Sequence, residues 1–188
     1  MEEKILSTLE EGLRLREKLK ELTPRIARAA HALIDCLKGG GKILICGNGG
    51  SAADSQHIAA ELVGRFKRER KALPVIALST DTSILTSIAN DYSFDRVFSR
   101  QVEALGRPGD LLIMISTSGN SANLLQAAMA AREDGLGTLA FLGRDGGELA
   151  GKVDLSIIVP SSDTARIQEG HTVIYHIICG LVEEAFAK

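Results

Sequence analysis

The sequence predicts a doubly wound α/β fold, a mainly parallel five-stranded sheet sandwiched by helices and preceded by an N-terminal helical arm. Three observations carry this expectation. From Lys42 onward, short continuous apolar runs alternate with helical stretches, and runs of that kind suit parallel strands covered on both faces. Small polar, glycine-containing loops stand between the ends of two of these strands and the helices that follow. The 188 residues, 45% hydrophobic and 24% charged, suffice for one domain with a substantial core. The chain is read as a single domain over residues 1–188, of which 1–38 form a helical oligomerisation arm.

Residues 4–22 carry Ile5, Leu9, Leu13, Leu15, Leu19 and Leu22, close to the spacing of a helical stripe. Thr23 followed by Pro24 reads as an N-cap and first-turn proline, opening a second helix to about Lys38 that Gly39, Gly40 and Gly41 end. Two helices ahead of the first strand are hard to bury on a small sheet, hence the arm. KILIC (42–46), PVIAL (74–78), DLLIMIS (110–116), GTLAFLG (137–143) and DLSIIVP (154–160) read as the strands. Helices are expected at about 51–66, 82–105 in two pieces, 121–134 and 164–187. Such sheets bind ligands beyond the carboxyl ends of their strands, where both polar loops fall.

Composition narrows the function. A formal net charge of −2 gives no global field for nucleic acid or acidic membranes. The charged N-terminus is unlike a signal peptide, and no apolar run reaches the ~18 residues of a membrane span. Cys36, Cys46 and Cys179 have neither disulfide-scaffold nor zinc-finger spacing. A cytoplasmic chain with reduced thiols, and no nucleic-acid or membrane partner, is the expectation. Trp is absent, so the core is aliphatic.

The first loop, Cys46 to Asp54, contains Asn48, Gly49, Gly50 and Ser51. Its glycines let backbone approach a ligand, and the helix it opens offers unpaired N–H groups to an anion. It is neither a dinucleotide fingerprint nor a Walker loop. The second loop, Ser116, Thr117, Ser118, Gly119, Asn120 and Ser121, offers four hydroxyls at a helix start, a neutral cradle for a phosphate dianion. On the helix between them, His57 and Glu61 share one face at i, i+4. That pair suits either a zinc ion or a base beside an orienting imidazole, and is also common as a plain surface pair. The last helix adds Gln168, His171 and His176 on a polar stripe. Arg65 to Lys71 forms a basic run, read as a solvated helix end with Arg65 placed nearest the Glu61 face.

GNGGSAAD with STSGNSAN resembles the sugar isomerase (SIS) domain, which binds phosphosugars, from about residue 25 onward. HIAAELVGRF, ALPVIALS, NDYSFDRVFSRQVEALGRPGD and ARIQE…H extend the likeness to the phosphoheptose isomerase branch. The resemblance implies that Ser116, Thr117, Ser118 and Ser121 hold the sugar phosphate. Further substrate contacts would come from Asn48, Gly49, Gly50, Ser51, Glu61, Arg65, Asn90, Asp91 and Gln168. It implies one zinc per subunit on His57, Glu61, Gln168 and His176, with Glu61 and His176 as the proton-transfer pair. Gln168 and His176 are eight residues apart, about 12 Å along an ideal helix and rotated by roughly 80°. His171 lies closer to Gln168, but the resemblance selects His176.

The activity implied is aldose–ketose isomerisation of sedoheptulose 7-phosphate to D-glycero-D-manno-heptose 7-phosphate through an enediol, by a homotetramer, for heptose precursors of bacterial surface polysaccharide. Two other readings stay open on sequence: a non-catalytic SIS regulator that binds the replication initiator, and a sensor or isomerase of another sugar phosphate. A regulator has no need of His57, Glu61 and His176 together.

Overall fold

The computed structural model describes residues 1–187; Lys188, the last residue of the expected domain, lies outside the described residues. The sheet comprises β1 (Ile43–Gly47), β2 (Val75–Ala77), β3 (Leu111–Ser116), β4 (Gly137–Gly143) and β5 (Leu155–Val159). Their order is β2-β1-β3-β4-β5, and every pairing is parallel, so the expected mainly parallel sheet is parallel throughout. The helices are α1 (Glu2–Leu19), α2 (Thr23–Lys38), α3 (Gly50–Val63), α4 (Thr82–Asp91), α5 (Ser99–Leu105), α6 (Ala122–Glu133) and α7 (Thr164–Phe186).

Alternate strand residues feed two cores. Ile43, Ile45, Ile113, Ile115, Leu139 and Phe141 pack with α2, α3 and α7 on one face. Leu44, Cys46, Leu112, Met114, Ala140 and Leu142 pack with α5 and α6 on the other. Burial on both faces is why these strands lack a polar alternation. β2, at the sheet edge, is a residue shorter at each end than its apolar run, and its central Ile76 faces outward, 39% exposed. All three cysteines are free, and Cys46 and Cys179 are buried.

The N-terminal segment divides. α2 buries Ile26, Ala29, Ala30, Leu33 and Leu37 in its own subunit's first core. α1 buries only Leu15 and Leu19 and leaves Ile5, Leu6, Leu9 and Leu13 between 55% and 63% exposed. Arg166 ties the two ends of the chain by donating to the Thr8 carbonyl at 2.9 Å. Thr23 is not a capping residue: its backbone is already helical (φ −45°, ψ −47°), and its hydroxyl donates back to the Lys20 carbonyl at 2.7 Å. A short 3-10 turn over Lys20–Leu22 makes the junction continuous, so no helix start needs capping there.

α3 ends at Val63, short of the expected 66. Gly64 breaks it, and the buried Glu183 carboxylate then accepts the backbone N–H groups of Phe66, Lys67 and Arg68 at 2.8 to 2.9 Å. Burial alone would raise the Glu183 carboxyl. Those three bonds and the nearby Arg70 charge hold it below its ordinary value instead. The basic run is therefore a loop and not a helix end. Arg70 is its inward member, donating to the carbonyls of Glu61 (2.8 Å) and Gly64 (3.1 Å) at the C-terminus of α3.

Candidate active site

The strand order reverses between β1 and β3: the chain leaves β1 for α3 over one face and leaves β3 for α6 over the other. A crevice opens at such a switch point, and the two polar loops form its walls. Asn48 after β1 and Asn123 in the first turn of α6 exchange side-chain amide hydrogen bonds across it, each 2.9 Å. Asn123 is 3% exposed. Its place inside an apolar helix pattern hides it from sequence reading.

In the second loop, the Ser116 hydroxyl accepts the Gly119 N–H at 3.0 Å, and the Ser118 hydroxyl accepts the Asn120 N–H at 3.3 Å. Ser121 occupies the N-cap of α6, yet its hydroxyl makes no capping bond. Thr117, Ser118 and Ser121 are only partly buried, so their hydroxyls can reach a ligand. The segment after β4 holds this loop from behind. Leu149 N–H donates to the Gly119 carbonyl (3.0 Å), and Glu148 N–H donates to Asn120 Oδ1 (2.9 Å). Gly119 has φ +69°, and a Cβ there would drive into the backbone of Gly146. An open cavity of about 600 Å³ adjoins Ser118 and Asn120 on this side, with Arg144 and Ser161 on its far wall.

His57, Glu61 and His176 converge from α3 and α7. One ligand atom from each lies within 4.8 Å of the others. His57 Nε2 is 3.1 Å from Glu61 Oε1, and the His57 and His176 rings sit 5.1 Å apart at 79°. Phe66 stacks on His176 with centroids 5.6 Å apart, a wall positioned by Glu183. Burial first, then the His57 charge, lowers the His176 pKa, which keeps that imidazole neutral at neutral pH. Two nitrogens and a carboxylate oxygen at this separation fit three of the four positions of a tetrahedral zinc site.

His171 belongs elsewhere. It is fully buried and bonds through Nε2 to the Leu142 carbonyl at 2.9 Å. Burial pushes its pKa down to about 4. Five helical residues turn His176 to the opposite side of α7 from the sheet, a separation that spacing from Gln168 does not reveal. The Gln168 amide lies against Gly50; a Cβ on that glycine would come within 2.6 Å of Gln168 Nε2. Gly50 is thus a close-approach glycine that lets α7 meet the first loop. Ser51, also in that loop, is buried. Asn90 donates to Asp91 at 2.8 Å at the end of α4. Among the described residues, no hydrogen bond joins that pair to the serine loop or the His57 cluster. Arg65 is exposed.

Sequence reading also missed Tyr175 and Asp54. The Tyr175 hydroxyl is 3.0 Å from His57 Nδ1 and 3.4 Å from Asp54 Oδ1. These contacts depend on how α7 packs on α3, which no local pattern encodes.

Polar loops at the switch point of a doubly wound parallel sheet, with a His–Glu–His cluster between α3 and α7, place the chain among the ligand-binding α/β proteins. A family model for the SIS domain matches residues 9–143, and the chain belongs to that family. Within it, the chain is 56% identical to the phosphoheptose isomerase of Geobacter metallireducens, over 100% of both chains. It is 58% identical to that of Geobacter sulfurreducens, over 96% of each. The solved phosphoheptose isomerase GmhA of Neisseria gonorrhoeae superposes with a TM-score of 0.92 at 46% identity, covering 97% of this chain and 98% of that one.

Proposed function

We infer that this chain is an aldose–ketose isomerase that interconverts sedoheptulose 7-phosphate and D-glycero-D-manno-heptose 7-phosphate. The observation that carries this reading is the convergence of His57, Glu61 and His176, in a chain that also has a hydroxyl-rich loop at its switch point and is matched end to end by phosphoheptose isomerases. In the proposed arrangement Ser116, Thr117, Ser118 and Ser121 hold the phosphate. Asn48, Gly49, Gly50, Ser51, Arg65, Asn90, Asp91 and Gln168 contact the sugar chain.

The reaction moves one proton from C1 to C2 and one from O1 to O2. Glu61 takes the C1 proton, leaving an enediol, and returns it at C2. His176, neutral at the outset, exchanges the oxygen-bound protons. Glu61 Oε1 faces His57, which leaves Oε2 for the carbon proton. His57, Glu61, Gln168 and His176 would hold one zinc per subunit. When bound, the ion would supply Lewis-acid stabilisation of negative charge on the substrate oxygens.

The same proposal includes a cytoplasmic homotetramer. Its support is the exposed Ile5, Leu9 and Leu13 stripe of α1, and a site that one chain leaves open, with His57 44% exposed at its side chain. No described helix is long and apolar enough to cross a membrane. The test is turnover of sedoheptulose 7-phosphate by purified protein, before and after chelation and with zinc restored. Aldoheptose 7-phosphate should appear. A folded oligomer without turnover in either state would overturn the reading in favour of a regulator or sensor.

A further inference from the structure

We propose that Tyr175, backed by Asp54, is a positioning residue that sets the tautomer of His57 so that Nε2 presents its lone pair to a metal ion. The proposal rests on the zinc reading above and goes beyond it.

Asp54 and His57 are three residues apart on α3 and so share a face. Tyr175 reaches that face from α7. Its residue is only 2% exposed, with the ring in the first core, and its hydroxyl meets both α3 side chains. A neutral imidazole carries one proton. If Nε2 is to donate its lone pair, that proton must sit on Nδ1 and needs an acceptor. The hydroxyl oxygen 3.0 Å away is placed to be that acceptor. The hydroxyl's own proton must then go elsewhere, and Asp54 Oδ1 at 3.4 Å can take it. The chain therefore runs His57 Nδ1–H to Tyr175 Oη, then Tyr175 O–H to Asp54 Oδ1. Without a cation, the imidazole proton is better placed on Nε2, facing Glu61 Oε1 at 3.1 Å. The hydroxyl then rotates and donates to Nδ1. A hydroxyl serves both states because it donates and accepts; a phenyl ring serves neither. Outer partners of this kind orient ligating histidines and raise their basicity, and their loss costs about 10–100-fold in metal affinity.

Zinc-free wild type, Tyr175→Phe, Asp54→Ala and the double variant are titrated with zinc against a chromophoric competing chelator, and thermal unfolding of each zinc-free protein is recorded. Tyr175→Phe should weaken zinc binding about tenfold or more, while the zinc-free protein stays folded with a melting temperature lowered only by the loss of that one hydrogen bond. Asp54→Ala should weaken binding in the same direction, and the double variant should be no weaker than Tyr175→Phe, because both act through one hydroxyl. Tyr175→Phe affinity within twofold of wild type would overturn the inference. If that variant does not fold, Asp54→Ala decides: unchanged affinity overturns the inference, and weakened affinity supports it. Wild type that takes up no zinc would overturn the metal reading itself, a result distinct from equal binding by wild type and variant.

Discussion

Gly119→Ala isolates how far the serine loop depends on the segment behind it. Two costs arise at this position. The left-handed backbone, φ +69°, costs a residue with a Cβ about 1–2 kcal/mol. The added methyl would also drive into the backbone of Gly146 and come 3.1 Å from Gly147 Cα, and relieving such an overlap typically costs about 1–3 kcal/mol. Together they predict a loss of about 3 kcal/mol. Gly40→Ala supplies the comparison, since Gly40 also has positive φ (+84°) but nothing within 4 Å of its added Cβ. It should lose only the backbone cost, about 1–2 kcal/mol. Urea unfolding at one fixed protein concentration measures both. The relief must come from shifting the loops apart, which strains the Leu149–Gly119 and Glu148–Asn120 bonds. The KM for sugar phosphate should therefore rise at least tenfold in Gly119→Ala and stay put in Gly40→Ala. Equal stability losses in the two variants, with KM unchanged in both, would refute the claim that the two loops act as one unit.

Glu61→Ala should abolish turnover while leaving phosphate binding intact, measured by protection of the protein against thermal unfolding by substrate; retained turnover would sink the base assignment. His171 gives a pH signature. Its folded pKa, about 4, lies below the ordinary 6.5, so the unfolded chain binds the extra proton first as pH falls. Its contribution is fully present above pH 6.5 and is lost down to about pH 4, roughly 3 kcal/mol in all. Stability curves over that window should be flatter for His171→Gln than for wild type. Charging the exposed α1 stripe with Leu9→Glu and Leu13→Glu should dissociate the proposed tetramer in light scattering while the far-ultraviolet circular dichroism of the subunit persists.

The sheet was legible because burial on both faces forces unbroken apolar runs, and each run sits within a residue or two of its strand, even at β2, where Ile76 faces outward at the sheet edge. The two polar loops were legible because glycine and hydroxyl residues interrupt those runs at strand ends. What escaped was decided by contacts between distant segments. α3 stops at Val63 partly because Glu183, about 120 residues later, captures the next amides. Thr23 followed by proline has the composition of a cap, but a continuous backbone gives it nothing to cap. His171 and His176 look equivalent in sequence, and only packing against β4 separates the buried one from the one that meets His57 and Glu61. Asn123, Asp54 and Tyr175 lie in helices whose patterns announce packing alone.

The two cores on opposite faces of the sheet carry different halves of the site. In the proposed site, the hydroxyl-rich loop that would hold the phosphate opens the helix of one layer, and the His57–Glu61–His176 cluster spans two helices of the other. The Asn48–Asn123 pair bridges the halves at the crevice. An architecture divided in this way separates holding from reacting. A lineage can redraw the helices that carry the chemistry, or discard their reactive side chains, and still inherit an intact handle for phosphate. One scaffold can then serve transforming enzymes and passive receptors of sugar phosphates alike.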